Sequence, residues 1–332
     1  MKKSRITGVG HYVPDQIITN DYLSTIMDTN NEWIVERTGI EERRWFTPGK
    51  DTVTSMSLAA SKMALERAGI EAKEIDFIVF ATITPDYFVP GNGVLLQREL
   101  GIQGKPALDV RNACSGFIYA LSVADQFIKT GMYKNVLVVG AEIQSSALDK
   151  SDEGRSSAVI FADGAGAAVL QAVDQNENGI LSTHLHADGD YAEELYLKDP
   201  GSSREVRLSP EIINGPSFKM YMNGNTVFKH AVVRFSEVIL EALEANGKEK
   251  SDIDLLVPHQ ANLRISNYIQ QKMGLGDDKV FNNIMKLGNT TAGTIPIALS
   301  QAWEQGRLKE GDLIVLAAFG SGFTWASAIL HW

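Results

Sequence analysis

The chain has 332 residues, 44% hydrophobic and 22% charged, with 41 acidic against 31 basic side chains for a net charge of −10. That is the composition of a globular protein able to bury a large core, and its acidity argues against a nucleic-acid binder, which carries a basic stripe. No apolar run approaches the roughly 18 residues of a membrane span. The start, Met1 to Gly8, is basic but lacks the apolar core of a secretion signal. The single cysteine forbids an internal disulfide or a multi-cysteine metal site. A cytoplasmic protein is expected, with no membrane and no nucleic-acid partner.

In chain order, an apolar-periodic helix runs through Ala64-Leu65-Glu66-Arg67-Ala68 and stops at Gly69. The continuously apolar run Phe77–Phe80 follows and predicts a strand covered on both faces. The strand Ala107–Val110 leads into Asn112-Ala113-Cys114-Ser115-Gly116. A helix from there to about Lys129 is predicted by Phe117, Leu121, Ala124 and Ile128 on one face. A strand over Val136–Val139 comes next, then a β-like stretch Ala167–Leu170 and a polar seam Asp174–Gly179. Past the seam the order recurs: a helix through Ala242–Ala245, Gly247, a strand Ile253–Val257, the turn Leu287–Pro296, and an alternating closing segment Thr324–Trp332.

The recurrence has a constant offset. Gly69 and Gly247, and Asp76 and Asp254, are each 178 residues apart, and the same shift aligns Ala120-Leu121 with Ala298-Leu299. Two similar α/β halves follow, 1–174 and 175–332, with strands and helices alternating as in largely parallel sheets. Duplicated halves packed about a pseudo-twofold axis bring equivalent strand ends together, and ligands bind at such ends in open α/β sheets.

The chemistry-bearing residues fall there. Cys114 opens a helix, where free N–H groups and the dipole favour a thiolate; the plainer alternative is a small buried hydrophobe. His259 ends the strand of the second half, and Asn289 lies in the counterpart of the Cys114 turn, opposite Arg111. His184 and His186 share a strand face without a third ligand, so no metal site is expected. Gly164-Ala165-Gly166 and Gly320-Ser321-Gly322 lack the third glycine and following helix of a dinucleotide loop.

With these pieces together, the sequence resembles the type III β-ketoacyl-acyl carrier protein synthases from about Ser4 to Trp332. The resemblance rests on Asn-Ala-Cys-Ser-Gly-Phe at 112–117, Val-Pro-His-Gln-Ala-Asn-Leu-Arg at 257–264, Gly-Asn-Thr-Thr-Ala-Gly at 288–293 and Phe-Gly-Ser-Gly-Phe-Thr-Trp at 319–325. It implies a thiolase-like fold, layered αβαβα, in which Cys114, His259 and Asn289 form the catalytic triad. Cys114 would take an acyl group from acyl-CoA. Malonyl-acyl carrier protein would lose carbon dioxide to an enolate that accepts hydrogen bonds from a neutral His259 and from Asn289. The N–H groups of Cys114 and Gly322 would hold the tetrahedral oxyanion.

The resemblance also implies CoA contacts at Trp33, Arg37, Thr38, Arg155, Gly224, Asn225 and Phe228, carrier-protein docking at Lys229, Arg264 and Lys272, and a primer pocket bounded by Val89. A homodimer is implied, with no cofactor beyond the CoA thioester substrate. Val89 stands where the family carries a gating aromatic, which leaves the primer's length and branching open. The charged segment Tyr191–Tyr221 receives no role. Competing readings are a related condensing enzyme of secondary metabolism with another acyl donor or acceptor, a cysteine hydrolase, and a non-catalytic acyl-CoA-binding module.

Overall fold

The computed structural model describes residues 2–332 and places the first repeated helix at Val53–Ala68. Thr52 Oγ1 accepts from the Ser55 N–H, Ser55 Oγ accepts from the Thr52 N–H, and Gly69 ends the helix at φ 69°. The long helix Gly224–Ala245 stops just before Gly247, at φ 59°.

The repeated aspartate has a structural task. The Asp76 N–H donates to the Asn135 carbonyl at 2.8 Å while its carboxylate accepts from the Asn135 N–H at 3.1 Å. Asp254 makes the same pair with Leu313, at 3.0 and 2.8 Å. Each aspartate clips together the starts of two neighbouring parallel strands, Phe77–Ala81 with Asn135–Ile143 and Leu255–Pro258 with Leu313–Gly320.

The first sheet has five strands in the spatial order Lys3–Tyr12, Asp163–Val173, Asn135–Ile143, Phe77–Ala81, Ala107–Val110. The second has four, Ile180–Ala187, Thr324–His331, Leu313–Gly320, Leu255–Pro258, which repeats that order. Its fifth position is reduced to a single bridge between Leu256 and Val280. Both sheets are mixed, not largely parallel as the alternation predicts. Only strands joined by helical crossovers run parallel; the opening strand of each half and the returning strand Asp163–Val173 or Thr324–His331 pair antiparallel.

Alternation along the strands fixes the layers. In Asn135–Ile143, Val136 and Val138 face a central core shared with the helices Gly116–Lys129 and Thr294–Glu304, whereas Leu137, Val139 and Ala141 face the helix Val53–Ala68. In Leu313–Gly320, Ile314, Leu316 and Ala318 face the same central core, and Leu313, Val315 and Ala317 face the helix Gly224–Ala245. Helix, sheet, two central helices, sheet, helix is the αβαβα order. The second half closes tightly on the first sheet: a Cβ on Gly140, in the strand Asn135–Ile143, would lie 2.2 Å from the carbonyl oxygen of Ala292 just before the helix Thr294–Glu304, so only glycine fits.

Candidate active site

The strand Ala107–Val110 delivers the chain to a 3₁₀ turn, Ala113–Ser115, and the α-helix starts one step later, at Gly116. The equivalent turn is Thr291–Gly293, again followed by a helix, Thr294–Glu304. Ala113 at φ 46° and Thr291 at φ 51° are the non-glycine residues with positive φ among the described residues, and they are 178 apart. Such backbone costs about 1–3 kcal/mol and persists where the surroundings impose it. The two turns pack together, with a Cβ on Gly116 falling 3.7 Å from Ala292 Cβ.

Cys114 is buried, 7% exposed. A third segment closes on it: a Cβ on Gly320 would lie 2.5 Å from Cys114 Cβ and 2.9 Å from its sulfur. Ser115 Oγ bonds Thr324 Oγ1 at 2.6 Å, tying the nucleophile turn to the Gly320–Thr324 loop. The sequence reading of a thiol already favoured as thiolate needs correction. Burial first, and the Glu142 carboxylate second, push the thiol up to about 12. The N–H groups of Ser321 and of Cys114 itself pull the other way and lose. Glu142 is itself fully buried and raised to about 7 by burial, against hydrogen bonds from Thr82, Thr84 and the Ile83 N–H.

His259, 3% exposed, extends the strand Leu255–Pro258, its N–H donating to the Ala317 carbonyl at 2.8 Å. Burial pushes its imidazole down to about 3, so the ring is neutral. Nδ1 lies 2.6 Å from Thr294 Oγ1, and Nε2 is buried with no partner. Asn289, 5% exposed, is held by its backbone between Ile160 and Ala162, and its Oδ1 accepts from the Thr291 N–H at 2.8 Å. Its Nδ2 is thereby the end turned to donation. Gln144 Nε2 donates to Thr291 Oγ1 at 2.8 Å, bracing the strained residue. Glu142, Gln144, Thr291 and Thr294 were not singled out from sequence. Their signal was present only as a threonine-rich turn and two polar residues ending an apolar strand.

Trp33 lies in the helix Asn31–Thr38, flanked by the guanidinium groups of Arg37 at 4.6 Å and Arg155 at 5.1 Å from the ring centroid. Asn262 Nδ2 donates to the Arg37 carbonyl at 2.9 Å, joining this helix to the His259 segment. Thr38, by contrast, is buried, its hydroxyl bonded to the Ile34 carbonyl and the Ile40 N–H. Gly224 and Asn225 open the helix Gly224–Ala245, with Phe228 one turn on and the Arg264 guanidinium over its ring at 5.7 Å. Lys229, Arg264 and Lys272 are exposed, but Lys272 stands at the far end of the helix Leu263–Met273. Eight residues of helix put it about 12 Å from Arg264. Val89 is 78% exposed on a surface loop beside exposed Tyr87 and Phe88. His184 and His186 both bond Glu241, and no group of three metal-ligating side chains exists among the described residues. No helix among them is long and apolar enough to cross a membrane.

Two duplicated α/β halves that together make the αβαβα layers, with a thiol, an imidazole and an amide near their shared seam, define a thiolase-fold acyltransferase. The comparisons make the family specific. Residues 108–189 match 3-oxoacyl-[acyl-carrier-protein] synthase III, and residues 243–332 match that family's C-terminal part. The β-ketoacyl-[acyl-carrier-protein] synthase III of Methylococcus capsulatus is 45% identical over 329 residues, 99% of each chain, and that of Aliivibrio fischeri 47% over 328 residues, 98% of this chain and 99% of the relative. The crystal structure of the Aquifex aeolicus enzyme superposes with a TM-score of 0.91 at 42% identity, covering 99% of this chain and 100% of that one. The chain belongs to the β-ketoacyl-acyl carrier protein synthase III family.

Proposed function

We propose that the protein joins an acyl-CoA primer to malonyl-acyl carrier protein, releasing carbon dioxide and giving a 3-oxoacyl-acyl carrier protein, the opening condensation of fatty acid biosynthesis. The observation that carries this is a protonated buried thiol whose turn packs on the turn Thr291–Gly293, with the donor-oriented amide of Asn289 just before that turn and the neutral buried imidazole of His259 bonded to Thr294 just after it. A cysteine hydrolase draws on a thiolate–imidazolium pair. Burial here works against both charges, and two neutral donors suit an enolate oxygen instead.

In this reading the 1–174 half carries the nucleophile and the 175–332 half carries the donors. Cys114 Sγ attacks the primer thioester, the carbon–sulfur bond to CoA breaks, and the thiol proton leaves with CoA. Malonyl thioester then loses carbon dioxide, its electron pair passing into an enolate held by His259 Nε2–H and Asn289 Nδ2–H. The nucleophilic carbon attacks acyl-Cys114, with the N–H groups of Cys114 and Gly322 on the oxyanion; the acyl–sulfur bond breaks, and the released thiolate takes a proton from water. No cofactor is required by these steps.

Trp33, Arg37 and Arg155 would bracket the CoA nucleotide. Thr38, Gly224, Asn225 and Phe228 would border the pantetheine path, Thr38 through its backbone because its hydroxyl is engaged. Lys229 and Arg264, with Lys272 further off, would meet the acidic carrier. We place the protein in the cytoplasm as a homodimer. In a dimer the exposed Tyr87-Phe88-Val89 tip would be covered, and Val89 would bound a primer pocket only there. Intact-mass analysis tests the core: acyl-CoA should add one acyl unit to the protein and none to Cys114→Ala. An adduct persisting in that variant would sink the mechanism.

A further inference from the structure

His259 reaches the rest of the protein through one side-chain hydrogen bond, and its partner is shared. Thr294 Oγ1 lies 2.6 Å from His259 Nδ1 and 3.0 Å from the Thr291 carbonyl oxygen. A hydroxyl has one proton to donate. If that proton goes to Thr291, Nδ1 must carry the ring proton, because two lone pairs cannot face each other at hydrogen-bond distance. Two bonds then form in series and Nε2 is a bare acceptor. If the proton goes to Nδ1, the Thr291 carbonyl loses it and Nε2 carries a hydrogen aimed into the site. Nε2 is buried with no protein partner, so in the empty site the first arrangement makes two hydrogen bonds and the second makes one.

We infer that Thr294 is a positioning residue that sets which nitrogen of His259 carries the proton: Nδ1 in the resting chain, Nε2 once a substrate carbonyl supplies the missing acceptor. The inference rests on the proposed role of His259 as a donor to the malonyl enolate. A hydroxyl that swings from Thr291 to Nδ1 both fixes the ring and strengthens Nε2–H as a donor when charge develops on the substrate. The residue's place in the repeat agrees. Thr294 is the equivalent of Gly116, which has no side chain, so the device exists only in the half that carries His259. Because the imidazole is neutral far below pH 7, a spectrum at neutral pH reads the tautomer and not a protonated mixture.

The experiment has two arms. Protein with ring-¹⁵N histidine, its His259 signals identified by their loss in His259→Ala, should show the proton on Nδ1 at rest. It should move to Nε2 when malonyl-CoA with nitrogen in place of the thioester sulfur is bound. A proton on Nε2 in the resting protein overturns the inference. In the second arm, Thr294→Val should slow carbon dioxide release from malonyl-CoA about tenfold, while acyl loading of Cys114 stays within about twofold. Thr294→Ser should restore the rate. Unchanged decarboxylation, or equal loss in both half-reactions as a merely structural residue would give, also overturns it. Failure of the underlying reading looks different: His259→Ala would then decarboxylate malonyl-CoA like the wild type.

Discussion

The turns Ala113–Ser115 and Thr291–Gly293 are one piece of backbone used twice, and the two uses have diverged. Both open on a residue held at positive φ, both lead into a central helix, and they pack against each other. At the middle position the first has Cys114 and the second Ala292. Two residues before each turn the first has Arg111 and the second Asn289; at the matching strand ends the first has Ala81 and the second His259. The repeat brings two strand ends together, and in the proposed reading the residues that differ between them make one the nucleophile's and the other the donors'. The lesson is that a symmetric scaffold can host an asymmetric reaction without new backbone.

The division of labour can be broken from the donor side. His259→Ala and Asn289→Ala should each still load acyl-CoA onto Cys114 but lose about 10²–10³-fold in carbon dioxide release from malonyl thioester, the scale of removing an oxyanion donor. Single-turnover mass spectrometry of loading, set beside carbon dioxide release, reads the two halves separately. Loss of loading with decarboxylation intact would reverse the assignment.

A smaller effect is expected at the primer. Val89→Phe should shift the kcat/KM ratio towards acetyl-CoA, relative to four-carbon and longer or branched primers, by about tenfold. Since Val89 is exposed in the single chain, the shift should accompany a dimer in sedimentation. A dimer with an unchanged primer ranking removes Val89 from the pocket.

Smaller again is the carrier contact. Arg264→Glu should raise KM for malonyl-acyl carrier protein several-fold at low salt and leave loading of Cys114 intact. The defect should shrink as salt screens charges beyond about 8 Å. An unaltered KM at low salt moves the docking patch elsewhere.

The subtlest test concerns the nucleophile's surroundings. The Glu142 carboxylate raises the Cys114 thiol only while it is ionised, and its own value is about 7. Glu142→Gln should therefore match the wild type in iodoacetamide alkylation below about pH 6. It should react about two- to threefold faster by pH 9, where removing the negative charge lowers the thiol's pKa. Equal rates across the range would mean that Glu142 does not act on the sulfur.

By itself the sequence determined the duplication, the helix stops at Gly69 and Gly247, the closing strand and the positions of Cys114, His259 and Asn289. Each rests on a local or periodic signal: a left-handed glycine, an alternation, or a motif at a strand end. The recurring aspartate was legible as a repeat, but its reason, clipping two strands whose starts lie 58 residues apart, belongs to pairing across the sheet. Strand direction is not legible in the sequence, because alternating elements do not record which strand each one pairs with or whether the connection between them reverses. The state of the chemistry was decided by tertiary structure alone. A helix start argues for a thiolate, yet burial and Glu142 outweigh it. The bond from Thr294 to His259 spans 35 residues and follows no spacing rule. Desolvation and hydrogen-bond partnership depend on what the rest of the chain packs around a group, and no local pattern encodes that.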